Sequence, residues 1–93
     1  MDWDAVTHQD VLAAIRECEQ MGEEAFLAEY GFRRAREYHL IHEGRAYSSK
    51  AILGVAYGHA NGSAAGYEDF SGGKDGAAKV LRDLGFEVTG PER

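Results

Sequence analysis

The sequence predicts a small single α+β domain, about four helices with a β-hairpin and a short C-terminal strand, and three observations lead there. Apolar residues recur at helical spacing early in the chain, Val11, Leu12, Ile15 and Cys18 and then Phe26, Leu27 and Tyr30. Two strand-like runs, 38–42 and 45–47, flank the tight pair Glu43-Gly44. The chain has 93 residues, enough for one core and too few for two.

Taken in order, Thr7 and Asp10 stand at capping-box spacing, with Asp in place of Glu, so a first helix runs from about His8 to Met21 and stops at Gly22. Glu23 and Glu24 suit the positive start of a second, short helix that Gly31 ends. The hairpin comes next, with a polar and basic tip. Ser48 or Ser49 then caps a third helix through Ile52, Leu53, Val55, Ala56 and Tyr57, buried almost all round because its other side is small. Residues 58–66 read as a mobile loop with few anchors. Ser71 caps a fourth helix that opens Gly72-Gly73-Lys74, points Ala77, Val80, Leu81 and Leu84 inward, and stops at Gly85. Phe86-Glu87-Val88 alternates as a last strand does, and joins the hairpin edge.

Composition narrows the function classes. With 44% hydrophobic and 28% charged residues the chain is of ordinary globular type. A single cysteine, Cys18, excludes an internal disulfide and a Cys-rich zinc site. The apolar run 51–57 is short and broken by Gly54, so neither a membrane span nor a signal peptide is expected and the protein is read as soluble and cytoplasmic. Net charge is −6, which on its face argues against nucleic acid. The distribution argues otherwise. Residues 1–30 carry eight acids and one base, whereas residues 31–50 hold Arg33, Arg34, Arg36, Arg45 and Lys50 against Glu37 and Glu43, half of all the basic residues in the chain.

That segment, interleaved with His39, His42, Tyr38 and Tyr47, has the composition of a hairpin that contacts phosphates. Guanidinium groups meet phosphates or guanine edges, tyrosine rings stack on bases, and hydroxyls such as that of Ser49 bond phosphate oxygens. A solvated hairpin whose charges only aid solubility has the same composition, but the acidic remainder would be repelled by DNA in any other orientation. Ser71-Gly72-Gly73-Lys74 places a hydroxyl, two unshielded amides and an ammonium at a helix start, which favours an anion. It lacks the spacing of a Walker loop, and taken by itself a capped helix with glycines for close packing is the better explanation. His39 and His42, three apart on a strand, face opposite ways and do not share a metal. Cys18 on an amphipathic helix reads as a buried thiol. No nucleophile–base grouping is present, and no cofactor is expected.

Four stretches carry a resemblance. They are residues 26–32, 38–52, 69–73 and 84–88, with Tyr47-Ser48-Ser49-Lys50-Ala51-Ile52 and Phe70-Ser71-Gly72-Gly73 the most specific parts. From about Thr7 to Val88 the chain resembles the N-terminal head domain of ScoMcrA-like restriction endonucleases, modification-dependent (type IV) enzymes of actinobacterial type. It departs from the family pattern at Ser48, where Asp is usual. The resemblance implies a multidomain parent active in phage defence, in which separate modules recognise phosphorothioated or methylated DNA and a C-terminal HNH module cleaves. This chain holds none of the HNH pattern, so it is expected to bind and not to cut.

Residues 1–93 are accordingly read as one head domain, with 89–93 the start of a linker to further domains. The function expected is that of a non-catalytic DNA-binding accessory or recognition domain. It would contact double-stranded DNA, modified or not, through Arg33, Arg34, Arg36, His39, His42, Arg45, Tyr47, Ser49 and Lys50 of the hairpin region and Ser71, Gly72, Gly73 and Lys74 of the helix start. An alternative of a different class stays open, an interdomain regulatory module that docks its acidic N-terminal helices on a cationic partner.

Overall fold

In the computed structural model, which describes residues 1–73 and 75–91, the chain opens with a short 3-10 turn and then α1 (His8–Met21). The capping box forms as expected: Thr7 Oγ1 accepts the Asp10 amide at 3.2 Å, and Asp10 Oδ2 accepts the Thr7 amide at 3.0 Å. The helix buries Val11, Ala14, Ile15 and Cys18 along one stripe. Gly22 separates it from α2 (Glu23–Tyr30), which buries Phe26 and Leu27 and ends at Gly31 in the left-handed conformation.

Residues 39–42 and 45–48 form β1 (His39–His42) and β2 (Arg45–Ser48), joined by Glu43 and Gly44, both at positive φ (51° and 80°), as a two-residue hairpin turn matched to strand twist demands. After β2 come α3 (Ser49–Asn61), a 3-10 turn at Tyr67–Asp69, α4 (Ala77–Asp83) and β3 (Glu87–Thr89). The sheet is antiparallel with order β2-β1-β3, so the last strand does join the hairpin, on the side of β1. Leu40 on β1 faces Tyr47 on one neighbour and Val88 on the other, and all three are buried. The alternation of the strands thus supplies one apolar row to a core completed by α1, α3 and α4. Among the described residues, no helix is long and apolar enough to cross a membrane.

Several expectations need correcting. α3 does not stop at Tyr57 but continues to Asn61, with Gly62 as its left-handed cap, because Gly58 lies against the backbone of Ala64, where a side chain would not fit. The remainder of the expected mobile loop is anchored: Ala65 is buried and its amide bonds the Gly54 carbonyl at 3.1 Å. Neither Ser48 nor Ser49 caps α3 through its side chain. Their hydroxyls are used laterally, Ser48 Oγ accepting the Ala35 amide and Ser49 Oγ donating to the Tyr38 carbonyl, both at 3.1 Å. The fourth helix begins at Ala77, after Ser71-Gly72-Gly73, and buries Ala77, Ala78 and Leu81 while Val80 and Leu84 are only half-buried. Thr89, expected in a linker, is the last residue of β3 and pairs with His39.

Gly54 governs how the chain closes over α3. A Cβ there would stand 2.5 Å from the Phe32 ring and 2.8 Å from the Ala65 carbonyl oxygen. Its absence lets the segments after α2 and before the second 3-10 turn pack onto α3 together.

Candidate nucleic-acid interface

The segment after α2, the start of α3, Tyr67 of the second 3-10 turn and the turn at Gly72 and Gly73 line an open cleft of about 630 Å³. Arg33, Arg34 and Arg36 come from the extended segment between α2 and β1, and Lys50 from the first turn of α3. That extended segment is tied to the α3 start by the two serine hydroxyls, a role for which an N-cap pattern gives no hint. Tyr67 is part of the wall. The Lys50 ammonium is 3.8 Å from its ring centroid and the Arg33 guanidinium carbon 5.2 Å, and Lys50 also lies 5.4 Å from the Phe70 ring.

Charge pairing divides the cations. Arg34 bonds Glu23 on α2 at 3.3 Å. Arg33, Arg36 and Lys50 form no ion pair with any described carboxylate, although Glu37 is also part of the wall. Meanwhile the acidic helices spend much of their charge internally. Asp10 caps α1, Glu17 accepts the Tyr30 hydroxyl and approaches His59 at 3.6 Å, and Glu19 takes both Arg45 and Tyr47.

The cleft therefore gathers Arg33, Arg34, Arg36, Ser49, Lys50, Gly72 and Gly73, and leaves out His39, His42, Arg45 and Tyr47. Arg45 sits 3.3 Å from Glu19, on the side of the hairpin that packs on α1. Tyr47 is 6% exposed and donates its hydroxyl to Glu19 at 2.8 Å, so its ring is core and not a platform for a base. His42 lies beside Glu43 and Phe86. Ser71 accepts the Gly73 amide at 3.1 Å and its carbonyl accepts that of Ala77 at 2.8 Å, which makes a turn where a helix start was expected. One of the two amides assigned to a phosphate clamp is thus already bonded, while Gly72 still packs on the Lys50 stem. Lys74 lies outside the described residues. Tyr67, whose ring meets both Lys50 and Arg33, has no site role in the sequence reading; the recurrence of aromatic and glycine through Gly66-Tyr67 and Phe70-Ser71-Gly72-Gly73 is the local signal of it.

Two hydroxyls carry a measurable signature. The hydrogen bond to Glu17 and burial push Tyr30 up to about 12, and burial together with the bond to Glu19 does the same for Tyr47. A raised acid pKa means that the folded state holds the proton more tightly than the unfolded chain, for which the value is 10.0. Stability from these bonds is complete below pH 10 and is lost as pH rises through 12. Urea midpoints taken across pH 9–12 should fall, and the Tyr30→Phe/Tyr47→Phe double variant should show a shallower fall from a lower starting value.

No curated protein sequence matches the chain. A solved structure described as the Type IV phosphorothioation-dependent restriction endonuclease ScoMcrA is similar, with 34% identity and a TM-score of 0.68 over 95% of this chain. The chain spans only 13% of that protein. The family model for the ScoMcrA-like N-terminal head domain matches residues 4–90, which run from the first 3-10 turn to β3, and on this match the chain belongs to the ScoMcrA-like N-terminal head domain family.

Proposed function

We propose that this domain is a non-catalytic DNA-contacting module of a modification-dependent restriction endonuclease, and that it meets the backbone of double-stranded DNA with the cleft around Tyr67. The observation that carries the reading is the set of three cations, Arg33, Arg36 and Lys50, left without acidic partners among the described residues in one concavity of a chain of net charge −6. Acidic surroundings orient the approach, because any other face turned to DNA is repelled. Likeness to a phosphorothioation-dependent enzyme extends the proposal to the parent: further domains follow this one, cleavage belongs to them, and the assembly acts in the cytoplasm on modified DNA.

Fluorescence anisotropy tests it with the 93-residue chain on plain, methylated, hydroxymethylated and phosphorothioated duplexes over a range of salt. Binding to all four, with log affinity falling by roughly 0.9 per phosphate contact for each log unit of salt, is the expected result. A preference for one modified duplex would assign this cleft a reading role in addition. No binding even at low salt would overturn the proposal and leave the acidic helices as the docking surface.

A further inference from the structure

Resting on that reading, we propose that Tyr67 is the positioning residue of the cleft: its ring holds the Lys50 ammonium and the Arg33 guanidinium together so that both address one phosphodiester group. The ring is itself well fixed. It begins a 3-10 turn closed by Asp69, whose carboxylate accepts the Gly66 amide at 2.7 Å and whose own amide bonds the Gly66 carbonyl at 3.0 Å. Behind it Phe32 packs edge-on at 6.1 Å, and Phe32 is the side chain admitted by Gly54.

The two cations arrive from separate segments, Lys50 from the α3 start and Arg33 from the stretch tied down through Ala35 and Ser48. Two like charges gathered on one ring repel, and a carboxylate would be the ordinary way to hold them. A carboxylate would also neutralise them. An aromatic face attracts a cation by its quadrupole and leaves the full charge in place, so both groups stay available to an anion. The chain has sixteen acids, yet none among the described residues pairs with either cation, and Glu37 in the same wall does not. Fixing a long lysine and an arginine before the ligand arrives also removes ordering cost from binding. The hydroxyl of Tyr67 has no part in this, which separates the role from stacking or hydrogen bonding to a base.

Three variants and one spectrum test the inference. Tyr67→Phe should bind a duplex of about twenty base pairs within about twofold of the wild type, whereas Tyr67→Leu should lose about fivefold. In an Arg33→Ala/Lys50→Ala background Tyr67→Leu should have no further effect. Equal binding by Tyr67→Leu, or an added loss in that background, overturns the inference, the second because the ring would then touch DNA itself. Should Tyr67→Leu fail to fold, the wild-type NMR spectrum decides. The Lys50 side-chain protons should be shifted upfield by the Tyr67 ring and should move on titration with inorganic phosphate. Unshifted Lys50 protons, or shifted ones indifferent to phosphate, count against it. A wild-type chain that binds no duplex defeats the DNA reading, and the phosphate titration then judges the clamp separately.

Discussion

Replacing Leu81 with alanine is expected to cost about 2–5 kcal/mol, the range for a leucine deleted from a packed interior. Leu81 is fully buried in α4, a helix of only seven residues. A helix this short has no stability of its own in water and exists because Ala77, Ala78 and Leu81 pack inward. The loss spreads beyond α4, since Arg82 on the same helix bonds the Val88 carbonyl of β3 through Nη2 at 2.6 Å, and Phe86 bonds the Leu81 carbonyl at 3.0 Å. Domains of this size shift by about 4–8 °C per kcal/mol, so the melting midpoint should drop by roughly 8–40 °C. A midpoint that does not move would refute the inward packing of α4.

Removing Arg33, Arg36 and Lys50 together should have the largest effect on binding. If each contacts a phosphate, the slope of log affinity against log salt shrinks by about one unit for each, and affinity falls for every DNA sequence alike. All three side chains reach the cleft from exposed or half-exposed positions, so the folded state should survive. Arg45→Ala is the control. It loses its contact with Glu19 at 3.3 Å, and salt dependence should stay as in the wild type. Unchanged duplex affinity in the triple variant would move the interface elsewhere; a slope altered by Arg45→Ala would return it to the hairpin tip.

The contrast between Arg45 and Arg33 also explains how far the sequence could be read. Elements set by neighbouring residues were legible: the Thr7–Asp10 cap, the Glu43-Gly44 turn and the helix stops at Gly22 and Gly31 each rest on contacts within a few positions. The basic segment was legible as a segment. What composition hides is its partition, because Glu19 takes Arg45 and Tyr47 from 26 and 28 residues away while Tyr67 gathers Arg33 and Lys50. The start of α4 was misplaced for a different reason, a competition between two local uses of one side chain. Ser71 has a capping residue's side chain, but its hydroxyl closes a local turn on Gly73 and its carbonyl is what meets Ala77.

The strand order β2-β1-β3 has a consequence for how the protein is made. The hairpin can form early, because its strands are adjacent in the chain, but the other flank of the central strand stays open until Thr89 arrives, 50 residues after its partner His39. During synthesis that flank is an unpaired edge, and Leu40 lacks Val88 as its neighbour. Folding therefore finishes only when the last strand has left the ribosome, so a stall or truncation before residue 87 yields a chain with its hairpin formed and its sheet still able to recruit a foreign strand.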